Sequence, residues 1–132
     1  MRLYRMKRFP AAWNVYDGYE ISGLDGFDVR NLAAKEIRWA VYWYGYGSYE
    51  GSGVLLGRRE KDWIVLDLGH CSCYGPTDKE GDEWPSLEAI EAGKTRDGLY
   101  EMRELMLAAP MIDAGGIPDP ELFEAQDVKG QR

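Results

Sequence analysis

The chain has a single histidine, only two cysteines, no excess of positive charge and no apolar run near the roughly 20 residues that a membrane-spanning helix needs. Each shortage closes off a class of function. With one imidazole, any histidine base or ligand must be His70. With both cysteines in one short stretch, at Cys71 and Cys73, no disulfide framework can span the fold. The basic start MRLYRMKRFP is followed by no apolar h-region, so no secretory signal is expected; the expected setting is the cytoplasm, with reduced thiols. A net charge of −7 argues against direct nucleic-acid binding, which generally needs a basic face to displace counterions from phosphate. Residues 1–75 carry 10 basic and 9 acidic side chains, and residues 76–132 carry 6 and 14. An acidic half of this kind either mimics nucleic acid for a basic partner or serves as a solvated surface, and the second is the commoner use on small domains.

What is present has the balance of a soluble globular chain, 45% hydrophobic and 30% charged. Its 132 residues suit one domain, expected over residues 1–110, with 111–132 as a loosely docked or disordered acidic tail containing two prolines and three glycines. Residues 9–35 read as loops around Gly18, Gly23 and Gly26, with a short helix from Asp28 as N-cap through Ala34. From Ile37 the pattern turns to period two. Ile37, Trp39, Val41 and Trp43 share one face, expected to be the core side; Arg38, Ala40, Tyr42 and Tyr44 share the other, which is half aromatic and is open to two readings, contact with solvent or a partner and cover by the helices.

The turn-rich GYGSYEGSG at 45–53 leads into VLLGR, and the polar RREKD at 58–62 leads into WIVLDL. Trp63, Val65 and Asp67 fall on one face of that last run and Ile64, Leu66 and Leu68 on the other, as in a central strand covered on both sides. Together the three runs predict an antiparallel meander at about 36–68. Ser86 predicts the cap of a helix through Ala92, ended by Gly93, and Thr95 the cap of a longer one through Ala109, ended by Pro110. Leu99, Met102, Met106 and Ala109, with Leu105 beside them, form its expected packing stripe. The fold class expected is therefore α+β, a small meander packed by C-terminal helices.

The chemistry-bearing residues crowd into LGHCSCYGP, 68–76. As a zinc site it offers His70, Cys71 and Cys73, one ligand short of a structural shell, so Asp67, Asp78 or a second subunit would have to complete it. As a thiol enzyme it offers Cys71 or Cys73 with His70 and Asp67, but neighbours in sequence seldom form such a group, because the base usually comes from another element. A Cys71–Cys73 disulfide is disfavoured by its small ring and a reducing setting. The glycine-rich turn supports no phosphate cradle: counted from Gly45, G-x-G-x-x-G places Glu50 where the third glycine belongs, and the turn contains neither Gly-Lys-Ser/Thr nor G-x-S-x-G. Its glycines are expected to permit positive φ in a wide loop or a bulge. Tyr42, Tyr44, Tyr46, Tyr49 and Tyr74 are the more suggestive group, since tyrosine supplies rigid contact area with a polar tip, and the sequence fits a partner surface and cover of the second sheet face beneath the helices equally well.

The combination of YEGSG at 49–53 and GHCSCYGP at 69–76 resembles a group of small proteins encoded by bacteriophages and prophages, over roughly residues 40–76. That resemblance implies an accessory protein acting in a bacterial cytoplasm and confers no activity, cofactor or catalytic residue. The expected function is non-catalytic binding of a host or phage protein, as in inhibition of a host-defence or regulatory factor. Tyr42, Tyr44, Tyr46, Tyr49, His70, Cys71, Cys73 and Tyr74 are its expected surface, with no membrane partner and no direct nucleic-acid partner. The alternative is a zinc-binding or cysteine-dependent enzyme built on Asp67, His70, Cys71 and Cys73. The oligomeric state is not legible.

Overall fold

Aromatic and β-branched residues dominate the stretch from Trp39 and make it the spine of a sheet, because such side chains pack well on a pleated surface. The computed structural model describes residues 1–11, 13 and 18–126. In chain order the elements are β1 (Arg2–Met6), β2 (Glu20–Ile21), α1 (Gly26–Ala34), β3 (Trp39–Gly47), β4 (Glu50–Arg58), β5 (Trp63–Asp67), β6 (Asp82–Trp84), α2 (Leu87–Gly93), α3 (Arg96–Asp113) and β7 (Phe123–Gln126). They form an α+β fold around one mostly antiparallel mixed sheet, ordered β6-β5-β4-β3-β1-β7. The meander of β3, β4 and β5 is present and gains β6 at its edge. The far edge of β3 is shared: β1 runs parallel to it at Trp39–Tyr42, and β2 runs antiparallel at Gly45–Tyr46.

Both faces of β3 are buried as far as Tyr44, which decides between the two readings of its second face in favour of cover by the fold, while Tyr46 stays exposed. Trp39, Val41 and Trp43 join Leu56, Trp63 and Val65 beneath α2 and α3, where Ile90, Met102, Leu105, Ala109 and Ile112 close the layer. Ala40, Tyr42 and Tyr44 join Leu55, Ile64, Leu66 and Leu68 on the opposite side, beneath Val29 and Leu32 of α1. Ile37 packs with this second group rather than with Trp39. It lies outside β3, beyond Glu36, whose φ of 65° turns the chain after α1. Each large apolar side chain so enclosed is worth about 1.5–3 kcal/mol.

The local signals needed adjustment where a side chain had two uses. The cap of α1 is Asp25, not Asp28: Asp28 N–H donates to Asp25 Oδ1 at 2.9 Å, and Asp25 N–H donates back to Asp28 Oδ2 at 3.1 Å, a reciprocal capping box. Ser86 and Thr95 cap α2 and α3 as the sequence predicts. α3 does not stop at Pro110 but continues to Asp113. One internal hydrogen bond is lost at the proline, while the turn beyond it buries Ile112. Residues 111–126 are likewise not a loose tail, because β7 pairs with β1 and Phe123 is buried. Arg5 and Glu124 form an ion pair across these two strands, and the Arg5 guanidinium holds the Glu124 carboxyl below the usual carboxylate range. The remainder of the expected tail, 127–132, lies outside the described residues.

Candidate functional site

Strand alternation places Tyr42, Tyr44 and Tyr46 on the α1 side of β3, and Gly51, Gly53, Leu55 and Gly57 on the same side of β4. α1 is short and covers only one end of this face. The other end is covered by residues 69–78, which leave β5 and cross the sheet. Gly51 and His70 exchange backbone hydrogen bonds, N–H to O at 2.9 and 3.1 Å, and this bridge lays the imidazole over Gly51. A Cβ on Gly51 would lie 2.5 Å from His70 Nε2 and 2.8 Å from Tyr44 Cε1, so only glycine leaves room for the ring. Gly45 does the same on the opposite face, where a Cβ would meet the ring of Phe9 at 2.3 Å. These glycines therefore clear space for rings inside strands. The positive φ values fall instead on Ser48 (53°) and Tyr49 (65°), the two central residues of a tight hairpin turn, where a wide loop was expected.

His70 is held from both nitrogens. Its Nδ1 lies 2.7 Å from the Cys71 carbonyl oxygen, which only accepts, so Nδ1 carries the proton of the neutral ring. Nε2 then accepts from the Tyr44 hydroxyl at 2.5 Å. Burial, first of all, pushes the Tyr44 phenol well above its ordinary range, with Asp28, Tyr46 and Asp25 adding to the shift, so it stays a donor. The rings of Tyr44 and Tyr46 both stack against the imidazole at 5.8 Å, and Tyr74 lies at 6.3 Å on a tilt.

The far end of this segment is anchored to α1. Thr77, fully buried, donates from Oγ1 to Asp28 Oδ1 at 2.9 Å and accepts from Asn31 Nδ2 at 3.1 Å. Lys35 Nζ donates to the Thr77 carbonyl at 3.0 Å. Burial pushes the Asp28 carboxyl up from its usual range, against the hydrogen bonds that favour its charge. Neither Asp28 nor Thr77 had a place among the expected site residues, although an Asp three positions after another Asp, ahead of Val29 and Leu32, is itself a capping-box signal.

No family model, curated protein or solved structure matches this chain.

Within the structure, the expected surface divides. Tyr42 is wholly buried: its hydroxyl accepts from Leu24 N–H at 3.0 Å and bonds Gln126, and burial pushes its phenol up to about 12. Tyr44 is 6% exposed and supports His70 from below. Tyr46 and Tyr74 are each 42% exposed and Tyr49 79%, while Cys71 and Cys73 are exposed and free. The catalytic grouping of Asp67 with His70 and a thiol is not assembled, since both imidazole nitrogens have other partners. Asp67 instead accepts from Gly69 N–H at 2.7 Å and from Lys79 Nζ at 3.0 Å. Among the described residues no group of three or more His, Cys, Asp or Glu side chains is placed to hold a metal ion, and Asp78, the other proposed fourth ligand, accepts from Gly75 N–H and Asn31. Among them, too, no helix is long and apolar enough to cross a membrane.

Two further stretches bear on function. Gly93-Lys94-Thr95 joins α2 to α3 without the leading glycine of a phosphate loop, Glu88 standing in its place, and Lys94 Nζ pairs with Asp82 at 3.4 Å. Leu99 and Met106, expected in the packing stripe of α3, are only half-buried; Met106 packs against the core, and both line a groove of about 630 Å³ with Leu87, Tyr100, Leu107 and Pro110. Met102, Leu105 and Ala109 are buried as expected, and Ile112 extends the stripe by one position beyond Pro110.

Proposed function

We propose that this protein acts by non-catalytic binding of another protein, through the hairpin end that carries Tyr46, Tyr49 and Tyr74 around His70. The observation that carries this reading is the turn at Ser48 and Tyr49. Two-residue hairpin turns with positive φ at both centres favour Asn-Gly, because a side chain in that conformation costs about 1–2 kcal/mol. Here the second position is a tyrosine that is 79% exposed. Strain kept for a ring that the fold leaves in solvent is what a contact residue would explain. The flanking tyrosines add rigid area with polar tips, the kind of surface on which protein contacts concentrate.

The resemblance to phage- and prophage-encoded proteins makes a bacterial host or phage protein the natural partner. Inhibition of a host-defence or regulatory factor is the role that fits an acidic accessory protein of this size. Tyr49→Gly separates function from folding: it should raise stability by about 0.5–1 kcal/mol by relieving the turn, while weakening capture of the partner. A folded variant combining Tyr46→Ala, Tyr49→Gly and Tyr74→Ala that still retains every partner captured from the native host would show that another surface is used.

A further inference from the structure

The sulfur atoms of Cys71 and Cys73 lie 2.7 Å apart, inside ordinary non-bonded contact, and both face solvent. Their environments differ. Cys71 Sγ receives the Cys73 backbone N–H at 3.4 Å in addition to the contact between the two sulfurs, in which either thiol can donate. The small C-x-C ring that disfavours a permanent disulfide suits a labile one, because strained or exposed disulfides are the readily reduced kind. From this geometry we propose that Cys71 and Cys73 are a reversible dithiol–disulfide site, with Cys71 as the attacking thiol, Cys73 as the resolving one, and a low-molecular-weight disulfide of the glutathione class as oxidant. The hydrogen bond from the Cys73 thiol holds Cys71 below the usual thiol range, and the same contact pushes Cys73 above it, which fits that order of attack.

The Cys71 thiolate attacks one sulfur of the oxidant, forming a mixed disulfide and releasing one glutathione thiolate. Cys73 then gives its proton to solvent and attacks Cys71 Sγ; the Cys71–Cys73 bond forms and the second glutathione thiolate leaves. Two electrons pass from the protein dithiol to the oxidant, and the two protons released are taken up by the two glutathione thiolates. This site does not depend on the tyrosines holding a partner.

The test is to equilibrate the full chain with mixtures of reduced and oxidised glutathione, quench with an alkylating reagent and weigh the intact protein. The expected product is a species two hydrogens lighter that takes up no alkyl group, restored to two alkylatable thiols by excess reduced glutathione. Cys73→Ser should stall as a lasting glutathione adduct on Cys71, while Cys71→Ser should form its adduct several-fold more slowly. Both positions are exposed, so serine leaves the core untouched. Two free thiols persisting at the most oxidising ratio, or only glutathione adducts on the wild-type chain, would overturn the site. Equal adduct rates in the two serine variants would overturn the order of attack.

Discussion

Trp39, Val41 and Trp43 meet α2 and α3 through apolar shape, whereas Ala40, Tyr42 and Tyr44 of the same strand meet a face on which polar groups are buried too. On the first face the hydrogen bond from Trp43 Nε1 to the Glu101 carbonyl, 3.1 Å, anchors an indole that meets Phe9 edge-on and Trp13 at a tilt. On the second, Tyr42 ties Leu24 and Gln126 together, Thr77 ties Asp28 and Asn31, and Tyr44 supports His70. Packing energy is non-directional, while buried hydrogen bonds fix one arrangement and penalise others. The difference explains why the candidate site lies where it does: the polar face positions the 69–78 segment, and the apolar face supplies stability.

That division predicts the largest effect on the apolar side. Leu105→Ala should cost about 2–5 kcal/mol in urea unfolding, since it removes a fully buried side chain between α3 and the sheet. Yet it should leave the imidazole signals of His70, the only histidine in the chain, where they are. Movement of those signals as large as any produced on the polar side would break the comparison.

Thr77→Val is the matching change on the other face. It keeps the shape of a buried side chain and deprives Asp28 Oδ1 of a donor and Asn31 Nδ2 of an acceptor, a loss of about 1–3 kcal/mol. Here the His70 signals should shift, and amide exchange over 69–78 should quicken while β3, β4 and β5 keep their protection. A variant as stable as the wild type, with exchange unchanged, would mean that the Thr77 anchor holds nothing in place.

The same contrast marks what was legible in the sequence. Period-two runs at 39–43 and 63–68 gave the meander and assigned the faces of β5 correctly, because apolar alternation reflects burial directly. Ser86 and Thr95 were legible because a cap is a local event. β1 and β7 were not, since Arg2–Met6 and Phe123–Gln126 become strands only by pairing with each other and with β3, contacts that no short window contains. The tyrosines and the HCSC segment were found by composition. Which of them are exposed was not, because the alternation of Tyr42 and Tyr44 fits an open face and a covered one alike, and only the packing of α1 and the 69–78 segment decides between them.

The smallest predicted effect concerns charge, and its sign differs between the buried face and the sheet edge. Asp28, raised by burial, holds its proton more tightly in the folded state than in the unfolded chain. Stability from this residue is therefore greatest in acid and falls as pH rises from its unfolded value through its folded one. Glu124, lowered by Arg5, behaves in the opposite way: its contribution is present above the unfolded value and fades as pH falls toward the folded one. Urea midpoints measured between about pH 3 and pH 7 for wild type, Asp28→Asn and Glu124→Gln should resolve the two. On acidification wild type should gain on Asp28→Asn and lose its advantage over Glu124→Gln. The second change should be the weaker, because the Arg5–Glu124 pair is partly exposed to solvent. A wild-type margin over Asp28→Asn that is flat across this range would show that the Asp28 carboxylate is solvated in the folded protein, and the polar face would then owe its order to Thr77 and the tyrosines alone.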